Sequence, residues 1–340
     1  MDTPVDTIVL DRDIATREIG SSGIQASVIG LGTWAIGGWR WGGTDTDLSI
    51  AAIHAAIDHG VSLIDTAPMY GAGNSEEIVG KAIAGRRDKV VLSTKCGLVW
   101  HTQQGNHFFD NDGAPVHRYL GADSIVYEVE QSLKRLGTDY IDHYITHWQD
   151  PTTPISETME ALLKLKESGK IRSIGASNVS AEELKAYVAT GGLDAIQEKY
   201  SMLDREIEAD LLPICADNGI SALSYSSLAL GLLSGKIGPD REFNGDDLRI
   251  GDPRFSMDNR AKIASLFAEI QPIADDLNAT IAQTVIAWTV TQPGITFSLC
   301  GARNPDQAIE NAKAGMLSLN ADQMTTISAS IDKYLQNMDG

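Results

Sequence analysis

The segment SLIDTAPMYGAGNSEEIVGKAI, from Ser62 to Ile83, puts an acid at the end of a predicted buried strand. Apolar residues precede Asp65, and Tyr70 follows in a glycine-rich loop that leads into a helical pattern. A carboxylate is costly to bury unless a cation or several hydrogen bonds meet it. The segment therefore predicts a strand, a loop and a helix in that order, and a partner for Asp65 elsewhere in the chain.

The same alternation of short β-branched runs and helical patterns continues along the chain. The predicted strands are Val28–Thr33, Val61–Thr66, Val90–Lys95, Tyr140–Trp148, Ile171–Asn178, Asp194–Tyr200, Ile220–Ser226 and Ile295–Cys300. Eight strands alternating with helices predict an α/β fold in which a parallel sheet closes as a (β/α)8 TIM barrel. The alternative is an open doubly wound sheet, which is expected to carry G-x-G-x-x-G after its first strand. The sequence GLGTWAIGG does not match that spacing.

Three segments lie outside the repeat, within a single predicted domain over residues 1–340. TREIGSSGIQAS, before the first barrel strand, predicts an N-terminal β-hairpin, and residues 1–15 are expected to form a flexible tail. Long irregular loops are expected after the third strand, at 96–121, and after the seventh, at 227–258. Both follow strands, so we expect them on the C-terminal face, where barrel enzymes keep their active sites.

Composition narrows the classes of partner. The net charge of -19 disfavours a nucleic-acid partner, because nucleic-acid binders carry basic surface. Three cysteines without paired spacing, at 96, 215 and 300, predict no disulfide framework. The N-terminus lacks the basic start and apolar core of a signal peptide, and no run of about 18 apolar residues predicts a membrane span. We therefore expect a soluble, cytoplasmic protein.

Four ionisable residues converge on one rim of the predicted barrel. Asp65, Lys95 and His147 end three consecutive strands, and Tyr70 lies just beyond the first of these. Each alone has a structural interpretation, as a turn cap, a lysine reaching solvent from a strand end, or a core histidine. Together they are harder to explain by packing, and polar groups at the C-terminal ends of barrel strands are typical of catalysis.

The chemistry that these residues predict is proton transfer. A phenol with a pKa near 10 is a poor acid–base group at neutral pH, and a neighbouring ammonium lowers that pKa. We expect Lys95 to tune Tyr70, Asp65 to hold Lys95 charged, and His147 to orient a substrate oxygen. The set suits protonation of a carbonyl oxygen as hydride arrives.

The chain resembles the aldo-keto reductase superfamily along nearly its whole length. The resemblance rests on GVSLIDTAPMYG with SEEIVG, VVLSTK, LGTDYIDHYITHW and GKIRSIGASN, in the family's order. Through AIQEKYSMLDRE and SYSSLALGLLSGK it is most similar to the bacterial stress and inositol-cluster NADPH-dependent reductases of family 11. The family's catalytic tetrad falls on Asp65, Tyr70, Lys95 and His147. The implied function is reversible NADPH-dependent reduction of small aldehydes and ketones, glyceraldehyde-like hydroxyaldehydes among them.

The resemblance also implies a site for NADP(H), covered by the 227–258 loop. The implied cofactor-binding residues are Gly32, Thr33, Trp34, Asp65, Ser177, Asn178, Gln197, Tyr225, Ser226, Leu228, Gly231, Leu233, Lys236, Gly301, Arg303, Gln307, Glu310 and Asn311. Many relatives carry a lysine and a second arginine where Gly301 and Gln307 stand here. Arg303 therefore remains as the predicted partner of the adenosine 2′-phosphate, with Lys236 and Arg241 as loop cations.

The sequence also offers a possible metal site, further substrate contacts and a second possible function. His143 and His147 are four apart on a predicted strand, a separation of about 13 Å that rules out a shared zinc ion, and no metal is predicted. Trp34, Tyr70, His147 and Trp148 are the expected substrate contacts. An alternative function on the same fold is a cofactor-binding regulatory subunit with little turnover. The intact tetrad favours the enzyme.

Overall fold

The computed structural model of this protein describes residues 13–238, 241–243, 247–335 and 338. Its strands are β1 (Thr16–Glu18), β2 (Gln25–Ser27), β3 (Ile29–Gly32), β4 (Leu63–Asp65), β5 (Val91–Cys96), β6 (Leu98–Val99), β7 (Asn106–Asn111), β8 (Ala114–Arg118), β9 (Ile141–Thr146), β10 (Ile171–Ser177), β11 (Ala195–Lys199), β12 (Ser221–Tyr225) and β13 (Phe297–Gly301). Its α-helices are α1 (Thr46–Asp58), α2 (Asn74–Ile83), α3 (Ala122–Leu136), α4 (Ile155–Glu167), α5 (Ala181–Thr190), α6 (Leu211–Asn218), α7 (Met257–Asp276), α8 (Ile281–Thr291), α9 (Pro305–Ala314) and α10 (Ala321–Leu335).

Eight parallel strands close into a barrel in the order β3-β4-β5-β9-β10-β11-β12-β13. Each overlaps one of the eight predicted strands, and the TIM-barrel prediction is confirmed. Buried β-branched and aliphatic runs on both faces explain why sequence alone finds them: one face fills the barrel and the other packs on the helices. Asp65 lies in register with Gly32 on one neighbour and Ser93 on the other, so the rim residues share one level.

The N-terminal hairpin closes the opposite end of the barrel. β1 and β2 pair antiparallel, as predicted, and Ile19 and Ile24 pack against interior residues such as Leu63 and Phe297. The chain passes very close to the barrel here: a Cβ on Gly20 would lie 2.2 Å from the Asp194 carbonyl oxygen, so the position requires glycine. The first twelve residues of the predicted 1–15 tail lie outside the described part of the chain.

The segment after β5 differs from the prediction of an irregular loop. Strands β6, β8 and β7 form a three-stranded antiparallel sheet. The two-residue turn of Asp112 and Gly113 connects β7 to β8, between the paired residues Asn111 and Ala114. Both of those residues have positive φ, 49° and 82°, the geometry of a type I′ hairpin turn. The polar composition of the segment masked a strand pattern whose turn signal, Asp-Gly, was present.

The segment after β12 is irregular, as predicted, with short 3-10 helices at Ala229–Ser234 and Pro253–Phe255. Residues 239, 240 and 244–246 of it lie outside the described ranges. The three cysteines, Cys96, Cys215 and Cys300, are free and buried. Among the described helices none is long and apolar enough to cross a membrane.

Candidate active site

A cavity of about 880 Å³ opens at the C-terminal end of the barrel. Asp65, Tyr70 and His147 line it, whereas Lys95 lies fully buried beneath them. The structure thus brings together the four residues predicted at the rim, on β4, the loop after it, β5 and the end of β9. Their position follows from the shared direction of parallel strands, whose C-terminal ends meet at one face.

Asp65 finds its partner in Lys95. The lysine Nζ donates to Asp65 Oδ1 at 2.6 Å and to the Thr66 carbonyl oxygen at 2.8 Å. The other carboxylate oxygen, Oδ2, accepts from Ser93 Oγ at 3.0 Å and Gln197 Nε2 at 2.9 Å. One cation and two hydrogen bonds therefore compensate the burial of this carboxylate.

Tyr70 sits above this pair. Lys95 Nζ lies 5.1 Å from the centre of the tyrosine ring. The sequence predicted that the lysine lowers the pKa of Tyr70, and this is wrong for the structure: burial, with a smaller contribution from the Asp65 carboxylate, holds the pKa of Tyr70 well above its usual range. The reason is that Asp65 already compensates the lysine charge, so desolvation of the phenolate dominates. Tyr70 is therefore protonated at neutral pH.

His147 faces the tyrosine edge-on, with ring centres 5.8 Å apart. Burial, and secondarily the positive charge of Lys95, holds its pKa well below the ordinary value, so the imidazole is neutral at neutral pH. A neutral imidazole has one N–H to donate, which suits a carbonyl oxygen placed beside Tyr70. The backbone N–H of His147 donates to the Cys96 carbonyl at 2.8 Å and fixes the residue to the end of β5.

The residues predicted to hold the nicotinamide end form one hydrogen-bonded group. Asn178 Nδ2 donates to the His147 carbonyl oxygen at 2.9 Å and to Ser177 Oγ at 3.1 Å. Its Oδ1 accepts from the Tyr225 hydroxyl at 2.7 Å. Both amide hydrogens of Asn178 are thus engaged, and a second lone pair on Oδ1 remains available to a ligand N–H.

All but one of the predicted cofactor residues line the cavity. The exception is Leu233, whose side chain is fully buried in the hydrophobic core. The 3-10 turn at 229–234 directs the side chain of this leucine inward, and its predicted contact with the cofactor stays a prediction. The segment from Ser226 to Gly231 has residues at positive φ, including Ser226 at 58°, Leu230 at 56° and Gly231 at 91°. Backbone strain of this kind clusters at ligand sites.

The cavity reverses the sign of the chain's overall charge. Its lining includes five cationic side chains, Arg40, Lys236, Arg241, Arg249 and Arg303, against the three carboxylates of Asp65, Asp110 and Glu310. Lys236 pairs with Glu310, and Arg303 donates to the Gly43 carbonyl oxygen at 3.1 Å. Local cations are what a chain of net charge -19 needs in order to bind a polyanionic ligand.

Aromatic side chains form part of the cavity wall. Trp34 and Trp148, predicted as substrate contacts, both line the cavity. Sequence reasoning missed their neighbours Leu98, Phe108, Phe109 and Asp110, which come from the unexpected sheet. Phe109 stacks on Trp39 with ring centres 5.9 Å apart, so the sheet is joined to the loop after β3. The Asp-Gly turn was the signal that would have placed this sheet beside the cavity.

The sequence matches the Aldo/keto reductase family over residues 28–332. The chain belongs to the aldo/keto reductase family. It is an oxidoreductase of the group that reduces carbonyl compounds with NAD(P)H.

Two relatives cover most of the chain. It is 43% identical over 303 residues to Aldo-keto reductase YhdN of Bacillus subtilis, covering 88% of each protein. It is also 43% identical over 285 residues to the NADH-specific methylglyoxal reductase of Escherichia coli, covering 82% of this chain and 86% of the relative.

Solved structures give the same family. The glycerol dehydrogenase AKR11B4 from Gluconobacter oxydans aligns with a TM-score of 0.85 and 37% identity, over 96% of this chain and 97% of that one. An aldo/keto reductase from Klebsiella pneumoniae, crystallised with NADP and acetate, aligns with a TM-score of 0.70 and 31% identity, over 95% and 97%. The AKR11 name agrees with the family 11 resemblance of the sequence.

Proposed function

We propose that this protein is a cytoplasmic enzyme that reduces small aldehydes and ketones with NADPH and oxidises the corresponding alcohols in reverse, with Tyr70 as the general acid and base. The observation that carries the proposal is the placement of Tyr70 at the cavity, directly above the buried Lys95–Asp65 pair. The assembled tetrad favours turnover over the alternative regulatory role.

The cavity residues fit a nicotinamide dinucleotide. Ser177, Asn178 and Gln197 offer the polar groups for a carboxamide, and Tyr225 offers a ring face beside them. The strained segment from Ser226 to Gly231, with the cations beyond it, offers the surroundings that phosphates require. When bound, the cofactor supplies or accepts the hydride.

The chain's own residues handle the proton and the substrate oxygen. Tyr70, held protonated by burial, gives its proton to the carbonyl oxygen, and His147 donates a second hydrogen bond that orients that oxygen. The ion pair of Lys95 with Asp65 lies beneath the ring and forms the floor of the site. The indoles of Trp34 and Trp148 exclude water from this point.

The choice of NADP(H) over NAD(H) rests on Arg303. Similar proteins give no common answer: the Escherichia coli methylglyoxal reductase is named NADH-specific, whereas the Klebsiella pneumoniae reductase was crystallised with NADP. In this chain Arg303 lies at the cationic end of the cavity, and its guanidinium can bind a phosphate through two N–H groups. That geometry supports NADPH as the preferred cofactor.

The substrate class follows from the size and walls of the site and from its relatives. The neighbours' names include glycerol and methylglyoxal, both small three-carbon compounds. We therefore infer glyceraldehyde-like hydroxyaldehydes and small ketones as substrates. The net charge of -19 supports the expectation of no nucleic-acid partner.

The test is NADPH oxidation by the purified protein against a panel that contains methylglyoxal, glyceraldehyde, dihydroxyacetone, an aldose and an aryl aldehyde. We expect turnover of the three-carbon compounds, with the highest kcat/KM among them. A rate indistinguishable from that of a Tyr70→Phe variant for every member of the panel would overturn the proposal.

A further inference from the structure

The turn that follows β10 is held in an unfavourable backbone conformation. Asn178 has a φ of 57°, in the left-handed region that non-glycine residues rarely occupy. Its side chain nevertheless makes three hydrogen bonds, to His147, Ser177 and Tyr225, all of which line the cavity. The orientation of the Asn178 amide therefore depends on what holds the turn.

Glu198 holds it from outside the cavity. This residue lies on β11, is only 6% exposed and is not among the residues that line the cavity. Its Oε1 accepts the backbone N–H of Val179 at 2.9 Å, and the N–H of Asn178 donates to the carbonyl oxygen of Gln197 at 3.4 Å. The residue that follows the strained Asn178 is thus anchored to one buried carboxyl group.

Capping of helix α5 does not explain this carboxyl group. Ser180 and Glu183 already form a complete capping box for α5, with Ser180 N donating to Glu183 Oε2 at 2.7 Å and Glu183 N donating to Ser180 Oγ at 3.2 Å. Glu198 contacts the residues just before that box. Its hydrogen bonds serve the turn that presents Asn178 rather than the first turn of the helix.

We propose that Glu198 is a positioning residue that fixes the Asn178 amide for the cofactor's carboxamide. The inference rests on the proposed function, because it assumes that Asn178 contacts the nicotinamide end. Glu198 thus contributes to the affinity for NADPH although it lies outside the cavity.

The surroundings of Glu198 make its hold on the Asn178 turn depend on pH. Burial raises the pKa of Glu198 to about 8, against the opposing hydrogen bond from the Val179 N–H, and the carboxylates of Glu183 and Asp210 raise it further. The other titratable groups that face it do not ionise nearby, since burial raises the pKa of Cys215 to about 12 and that of Tyr225 still higher. The ionised carboxylate accepts the Val179 N–H better than the neutral acid does, so the turn is held more firmly above this pKa.

The test compares Glu198→Met, Glu198→Gln and the matched control Glu183→Met by NADPH titration at a pH about one unit above the pKa of Glu198, where its carboxylate is ionised. Methionine keeps the volume and removes both acceptors, so we expect the Kd for NADPH to rise about tenfold, as for the loss of a buried charge-assisted hydrogen bond. Glutamine keeps one acceptor and should stay within about threefold of wild type. Glu183→Met removes a cap of the same helix and should lower the melting temperature without changing the Kd.

Two further measurements separate positioning from general destabilisation. In an Asn178→Ala background, Glu198→Met should add little, because both substitutions remove the same contact. The affinity of the wild type for NADPH should improve as the pH rises through about 8, and Glu198→Gln should abolish that step. The second measurement decides the case if Glu198→Met fails to fold.

The outcomes are distinct. A wild-type protein that does not bind NADPH contradicts the proposed function itself. A wild type that binds, together with a folded Glu198→Met of equal affinity, overturns only the role of Glu198. An equal loss in Glu183→Met, full additivity with Asn178→Ala, or a pH step retained in Glu198→Gln also overturns it.

Discussion

Lys95 and Asp65 form an ion pair sealed from solvent, with Nζ and Oδ1 2.6 Å apart and the lysine side chain 0% exposed. Nothing about a buried pair of this kind guarantees a gain in stability, since the desolvation of both charges offsets their attraction. Its position at the floor of the cavity, under Tyr70, points instead to a role in the reaction.

Substitution of one partner alone should be costly. Lys95→Met leaves Asp65 as an uncompensated buried charge, which typically destabilises a protein by about 3–5 kcal/mol. We expect a lower melting temperature and no reductase activity. The double variant Asp65→Asn, Lys95→Met removes both charges and should recover much of the stability but none of the activity. Thermal unfolding and NADPH oxidation measure the two effects, and an active double variant would show that the pair is only structural.

Tyr70→Phe should abolish reduction while NADPH still binds. The substitution removes the proton donor and keeps the ring that packs near Trp34 and His147. General acid catalysis contributes about 10²–10⁴-fold, so kcat should fall by at least that range. Turnover within about tenfold of wild type, 1.4 kcal/mol of barrier, would falsify the assignment of Tyr70. The Kd for NADPH, measured on the same variant, is the control.

The two reaction directions should differ in their pH dependence. Reduction uses protonated Tyr70, whose pKa is raised by burial, and neutral His147, whose pKa is lowered by burial. At saturating NADPH, the rate of reduction should therefore be flat from about pH 6 to 8, because neither group changes state there. Alcohol oxidation needs the phenolate, so its rate should climb with pH across the same range and beyond. A plateau of oxidation by neutral pH would show instead that the pKa of Tyr70 is depressed.

Arg303→Ala should weaken NADPH binding by about ten- to a hundredfold, the expected effect of losing a charge-assisted arginine–phosphate contact. NADH lacks the 2′-phosphate, so its affinity should change little. Titration of both cofactors at fixed ionic strength measures the difference. Equal losses would remove Arg303 from the 2′-phosphate site and would favour a cofactor preference like that of the NADH-specific relative.

Phe109→Ala should change substrate recognition without changing cofactor recognition. The ring stacks on Trp39, lines the cavity and belongs to the three-stranded sheet rather than to the strained segment after β12. Its loss opens the wall that the three-stranded sheet supplies. The KM for the preferred carbonyl substrate should rise several-fold, while the KM for NADPH stays constant. A rise in the KM for NADPH alone would place Phe109 at the wrong end of the cavity.

The barrel could be predicted because its strands are buried on both faces. Runs such as VVLSTK and VSLIDT are short and rich in β-branched and aliphatic residues, as buried strands are, and a glycine marks many of the helix ends between them. Once the strands are parallel, the positions of Asp65, Lys95 and His147 at strand ends bring the side chains to one rim.

Other features depend on tertiary contacts that the local sequence does not encode. The pKa of Tyr70 is set by burial under surrounding chain and by the Asp65 charge, so sequence reasoning about one neighbouring lysine predicted the wrong direction. Leu233 matched a family pattern, yet its backbone turns it into the core. The sheet at 98–118 was hidden by polar residues at exposed strand positions.

The hairpin of β1 and β2 has a consequence for the order of events during turnover. Because Ile19 and Ile24 close the far end of the barrel, the cofactor and the carbonyl compound must enter and leave through the same opening, at the C-terminal face. Neither can leave through the opposite end while the other stays. A shared opening favours ordered binding, in which the molecule that lies deeper binds first and dissociates last. Initial-rate plots should then intersect rather than run parallel, and product inhibition by the alcohol should be non-competitive against NADPH.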